Sequence, residues 1–182
     1  MSSRSPVWWP AARRRILRNY AGTQHIVGML SETATAALTP EEAEDRALRN
    51  RRRVEVDYTS AVGSMQMILE NRERIAGAGA AAAERATREG AEQSGIVYFA
   101  GQDDQLPFSA NGVEPEPMCG YALTAAQIEE LAPTLRVHGI TWEPDGAGAV
   151  VSMAQPDRPL ILLLLDARYP YRLTEAEPLD SC

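Results

Sequence analysis

Trp8 and Trp9 stand directly before Pro10, and Arg13, Arg14, Arg15 and Arg18 follow within a little over one helical turn. Tryptophan and arginine are enriched at the energetic centres of protein interfaces, where each brings a large flat surface and a polar group together. The chemistry such a cluster supports is contact with another protein chain. Two other chemistries draw on the same residue types. Arginines with aromatic support bind nucleic-acid backbones, and tryptophans with cations anchor helices at membrane surfaces. Four arginines make a narrow surface for a nucleic acid, and a membrane anchor needs an apolar face that this segment lacks. The expected partners are further copies of the chain and other proteins of an assembly. Nucleic acid is the alternative, and no membrane is expected.

Charge is distributed to match. Residues 1–39 hold five arginines and one acid, net +4. Residues 40–95 hold nine arginines and eleven acids, net −2, and residues 96–182 hold four and thirteen, net −9. A basic front and an acidic back let copies meet through opposite surfaces, and a basic arm also suits nucleic acid. All 18 basic residues are arginine, as codon usage in a GC-rich genome produces.

Other reactive residues are scattered. Asp103 and Asp104 open a proline-rich loop, and Asp145 and Asp166 fall near expected strand ends. Paired carboxylates can exchange protons, but these read as turn residues. His25 and His138 have no cysteine or acid at ligand spacing, so no metal site is expected. The glycines of "GAGAAAA" lack the lysine and Ser/Thr of a phosphate-binding loop and follow no strand,. No serine stands in a nucleophile-elbow frame. The expectation is a protein that is not an enzyme and takes no cofactor. Cys119 and Cys182 read as free thiols in a reducing cytoplasm, with a bridge as the other possibility,.

These residues need elements to carry them. Pro10 suits the first turn of a helix, and Ile16, Tyr20, Val27, Leu30, Ala34 and Ala37 share one helical face,. "TPEEAEDRAL" restarts the helix, with Thr39 as N-cap, Pro40 at the first position and Glu42 completing a capping box,. Ala47, Val54, Tyr58, Ala61, Met65, Ile68 and Ile75 then recur near the coiled-coil period,. From Pro40 to Ile75 this helix would be about 54 Å long at 1.5 Å per residue, more than a small core needs. Arg46, Arg49, Arg51, Arg52 and Arg53 alternate with acids on it, with Glu42–Arg46 and Asp45–Arg49 expected as ion pairs,. Gly77 and Gly79 predict a bend or break, followed by an alanine helix or a disordered stretch up to Gly95,.

After Gly95 the pattern changes. Residues 96–100, "ITWE", "AVVSMA" and "LILLLLD" read as strands, the middle two as a hairpin around "PDGAG",. Leu160 to Leu165 reads as a central strand buried on both faces. "LTAAQIEEL" is a helix with Thr124 and Gln127 as its capping box, interrupted at Pro133,. The tail "YRLTEAEPLDSC" has no pattern of its own.

The predicted fold class is α+β: a long antiparallel helical hairpin, then a small mixed domain with a three- to four-stranded sheet. The predicted division is residues 1–95, a helical hairpin region with its Ala/Gly-rich extension, and residues 96–182, a small α+β domain. This build resembles that of phage head-to-tail adaptor proteins, a resemblance of architecture that no motif carries. It implies a structural or assembly subunit of a phage or gene-transfer-agent virion. The alternative is a small nucleic-acid-binding regulator using the N-terminal arginines. No apolar run approaches the roughly 20 residues of a membrane helix, and arginines interrupt any signal-peptide core. The expected location is the virion or the cytoplasm, without secretion by a signal peptide.

Overall fold

The computed structural model describes residues 17–98, 113–114, 118–169 and 172–182. The fold class is α+β, a long helix together with a small four-stranded antiparallel sheet and its helices. The chain divides into two compact units. One is Met29–Ala78; the other is Gly79–Cys182 with the residues before Met29.

In the first unit, Thr39 starts a new helix as its sequence predicts. Its side chain accepts from the Glu42 N–H, with Pro40 at the first position of α2 (Pro40–Glu44). Glu42 does not close the box on Thr39. It reaches one residue further, to the Leu38 N–H at 2.9 Å. Asp45 then caps α3 (Arg46–Ala91), accepting from the Ala47 and Leu48 N–H groups. Asp45 is thus a cap rather than the expected partner of Arg49. Glu42 is buried and held by Arg52 at 2.6 Å instead of by Arg46. The same guanidinium donates to the carbonyls of Ala34 and Ala36. The chain before the turn therefore lies back against the helix that follows it.

That incoming arm is not the expected long helix. Helix α1 covers only Leu17–Thr23, and residues 24–39 form no helix. His25 takes a left-handed φ of 54°, which ends the helix,. Gly28, Thr33 and Thr35 then lower helix propensity through the segment,.

Helix α3 is longer than its apolar face implies, and Gly77 and Gly79 do not break it. Alanine, the strongest helix former, surrounds them and offsets their cost. Small residues also permit close approach. A Cβ on Gly79 would sit 3.0 Å from the His25 carbonyl oxygen, and one on Gly90 only 1.9 Å from that of Met153. The helix ends at a C-terminal motif in which Gln93 is left-handed and the Ser94 N–H returns to the Glu89 carbonyl,.

In the second unit, strands β1 (Val97–Tyr98) and β2 (Val113–Glu114) form a two-stranded pair. The main sheet has the order β4-β5-β3-β6, from β3 (Gly120–Leu123), β4 (Glu143–Asp145), β5 (Gly148–Ser152) and β6 (Glu177–Leu179). The β4–β5 hairpin falls where expected, on a turn with Gly146 at φ 56°. Tyr121 faces Val151 and Leu123 faces Ala149 across β3 and β5, all buried on one side. Helix α4 (Ala125–Val137) packs on these strands through Leu131 and Leu135. Its capping box forms as expected, but the helix runs on through Pro133 to His138. The tail supplies an edge strand, where Pro178 needs no ladder partner,.

Leu160 to Leu165 is buried as predicted but is helical, within α5 (Arg158–Leu165). A short apolar run fits a buried strand or a buried helix equally well by periodicity. Here Pro159 occupies the first helical turn, and leucine, unlike valine or isoleucine, carries no β-branch to favour a strand,. Ile161 and Leu165 are fully covered, and the core joins them to Tyr121, Leu135, Val151 and Met153.

Candidate functional site

Trp8, Trp9, Arg13, Arg14 and Arg15 lie outside the described residues. Arg18 falls within α1. Asp103 and Asp104 also lie outside. Among the described residues, the remaining candidates for chemistry are occupied by structure. Asp166 is buried and accepts from the Tyr121 hydroxyl at 2.6 Å and from Arg168 through its backbone and guanidinium at 2.8–2.9 Å. Burial pushes this carboxyl up, but the Arg168 and Tyr121 hydrogen bonds outweigh it and hold it below its ordinary value,. Burial, with Asp166 beside it, drives the Tyr121 phenol up, so it stays a donor. Asp145 is exposed on β4.

The Tyr20 hydroxyl and His138 Nδ1 share a hydrogen bond at 2.9 Å, and His25 meets the Pro156 carbonyl at 2.7 Å. Both tie the short first helix region to the sheet unit. No group of His, Cys, Asp and Glu among the described residues could hold a metal ion. No helix among them is long and apolar enough to cross a membrane.

Cys119 and Cys182 are joined in a disulfide, not free. The sequence separation of 63 gave no sign of it. Strand pairing does the work: β6 runs beside β3, and Cys119 donates its N–H to the Leu179 carbonyl. That brings the end of the chain to the start of β3.

The surface that remains unexplained is on α3. Val54, Tyr58, Ala61, Met65 and Ile68 follow spacings of four, three, four and three, a seam along one face,. Val54 is 67% exposed, Tyr58 70%, Met65 57% and Ile68 44%. Leu69, on the flank, is 70% exposed. Up to Ile75 the half-buried positions of the same helix are Arg49, Arg52, Arg53, Ser60, Val62, Ser64, Asn71 and Ile75, mostly polar. Within this unit Met29, Leu30 and Leu38 are also more than half exposed. Fully burying one such side chain gains about 1.5–3 kcal/mol. Single exposed apolar residues are normal; a row of five at heptad spacing is a candidate interaction surface.

The seam was readable as a helical face; its exposure was not. The apolar positions fit the incoming arm of a hairpin as its natural cover, and that arm is mostly not helical. Comparison of the chain with known protein families, with curated proteins and with solved structures gives no match.

Proposed function

We propose that this chain is a structural subunit of a multi-copy assembly and acts by packing rather than by catalysis. Its proposed place is in a phage or gene-transfer-agent virion, as a component of head-to-tail adaptor type. One observation carries the reading: α3 presents an apolar seam at coiled-coil spacing to solvent. A subunit that finishes folding only against its neighbours has this distribution. The combination of a long helix and a small antiparallel sheet supports the same reading. So does the Cys119–Cys182 disulfide, since such bonds persist outside the reducing cytoplasm,, where released particles spend their existence.

Negative-stain electron microscopy of the purified chain tests this. Rings or other closed particles of repeated subunits are expected. A single chain or a dimer that shifts labelled DNA in a gel, losing the shift when Arg13, Arg14 and Arg15 become glutamine, would replace this reading with that of a regulator.

A further inference from the structure

We infer that residues 177–182 form a redox-operated strap. The Cys119–Cys182 bond keeps β6 on the edge of β3, and its reduction frees the strap while the rest of the sheet unit stays folded. The device belongs to the single chain, assembled or not.

The tail has two parts that are held differently. Residues 173–176 are tied to the core. The Leu173 N–H donates to the Leu164 carbonyl and the Ala176 N–H to that of Leu165, at the end of α5, and Ala176 is buried. Gln127 of α4 adds bonds to the Thr174 hydroxyl and the Glu175 carbonyl. Past Ala176 the burial ends: Glu177, Pro178, Asp180, Ser181 and Cys182 are exposed, and Leu179 is half-buried. This stretch is held by its pairing with β3, by the Gln93 side-chain amide on the Asp180 carbonyl at 2.8 Å, and by the disulfide. Pro178 brings no N–H to the ladder. A hydrogen bond formed in competition with water nets no more than fixing one residue costs. With so little apolar burial, the strap therefore depends on its covalent bond, and Ala176 is the hinge.

The two cysteines are unequally reachable, Cys182 exposed and Cys119 buried. A thiolate of an external dithiol attacks Cys182 Sγ. The bond between the two cysteines breaks, Cys119 leaves as thiolate and takes a proton, and Cys182 holds a mixed disulfide. The second thiol of the reductant, as thiolate, closes on the first, and Cys182 leaves and is protonated. Two electrons and two protons have passed to the protein, and the dithiol has become a cyclic disulfide. Opening bares the β3 edge, including the Cys119 N–H that donates to the Leu179 carbonyl. An unpaired edge is a template for further strands. Where thiols are kept reduced this edge is open, and where they are oxidised it is covered.

Amide hydrogen exchange followed by NMR on the full chain, with and without dithiothreitol, tests the device. In the oxidised chain no thiol should titrate, and the Cys119, Met153 and Ala176 amides should all be protected. After reduction Cys119 should exchange within about tenfold of an unstructured peptide. Met153, which donates to the Cys119 carbonyl, and Ala176, on Leu165, should keep at least about a hundredfold protection,. Cys182→Ser should show the reduced pattern without reductant and not respond to it. Cys119 protected as strongly as Met153 in the reduced chain or the variant would overturn the strap, because the contacts alone would then hold it. Loss of protection at all three amides would overturn it as well, because the bond would then hold the whole unit. Free thiols in the air-oxidised chain would remove its lock and overturn it outright.

Discussion

Arg158 places Nη1 2.9 Å from Glu89 Oε2 and Nη2 2.8 Å from the Ser94 carbonyl, joining the end of α3 to the start of α5. The two partners are unequally buried: the Arg158 side chain is 3% exposed and that of Glu89 30%. Burial pulls the guanidinium pKa down, and Glu89 partly restores it. Removing the carboxylate strands a buried cation, whereas removing the cation leaves a carboxylate that water can reach. Glu89→Ala should therefore cost about 3 kcal/mol, and Arg158→Met clearly less. Urea denaturation of both variants measures the difference, and equal losses would refute the asymmetry.

The helix glycines should separate by sign. A Cβ at Gly90 would collide with the Met153 carbonyl, so Gly90→Ala should destabilise by about 1–3 kcal/mol despite its better helix propensity,. Gly63 and Gly77 have nothing within 4 Å of an added Cβ. Alanine at either should stabilise by up to about 1 kcal/mol. Thermal unfolding of the three variants reads the order directly.

Asp166 gives the fold an acid limit. Its carboxyl is depressed in the folded chain, so its contribution is complete above the unfolded value, about pH 4,. The contribution disappears as pH falls through the folded value. The stability gap between wild type and Asp166→Asn should be constant from about pH 7 to 5 and close below about pH 4. A gap that widens on acidification would reverse the assignment.

The disulfide closes a long loop between β3 and the edge strand. Cys182→Ser should lower stability by about 2–4 kcal/mol in the absence of reductant. Reductant should lower the wild type by a similar amount and leave the variant where it is. Denaturation with and without reductant checks both statements.

Local signals were legible wherever a side chain answers to its immediate neighbours. The Thr39 and Thr124 caps, the Pro40 start and the Gly146 turn are of this kind. So is the burial of Leu160 to Leu165, though not its helical form, because six apolar residues have no period to read,. Gly90 could not be interpreted from sequence, since its neighbour is the Met153 backbone, 63 positions away. Strand β6 and the disulfide share that difficulty: Pro178 and Cys182 acquire meaning only once β3 lies beside them. The seam on α3 was legible as periodicity, but which side of a helix faces its own chain depends on the partner segment. Residues 24–39 turned out not to be helical.

The central claim is that the seam from Val54 to Ile68 is covered by other copies of the chain. The mass of the wild type by light scattering, followed over a hundredfold dilution, tests it most directly. The account expects a multiple of 19.9 kDa that dissociates toward one chain on dilution. It also expects Tyr58→Glu combined with Met65→Glu to give one chain at concentrations where the wild type is associated. A mass of 19.9 kDa for the wild type at every concentration would contradict it.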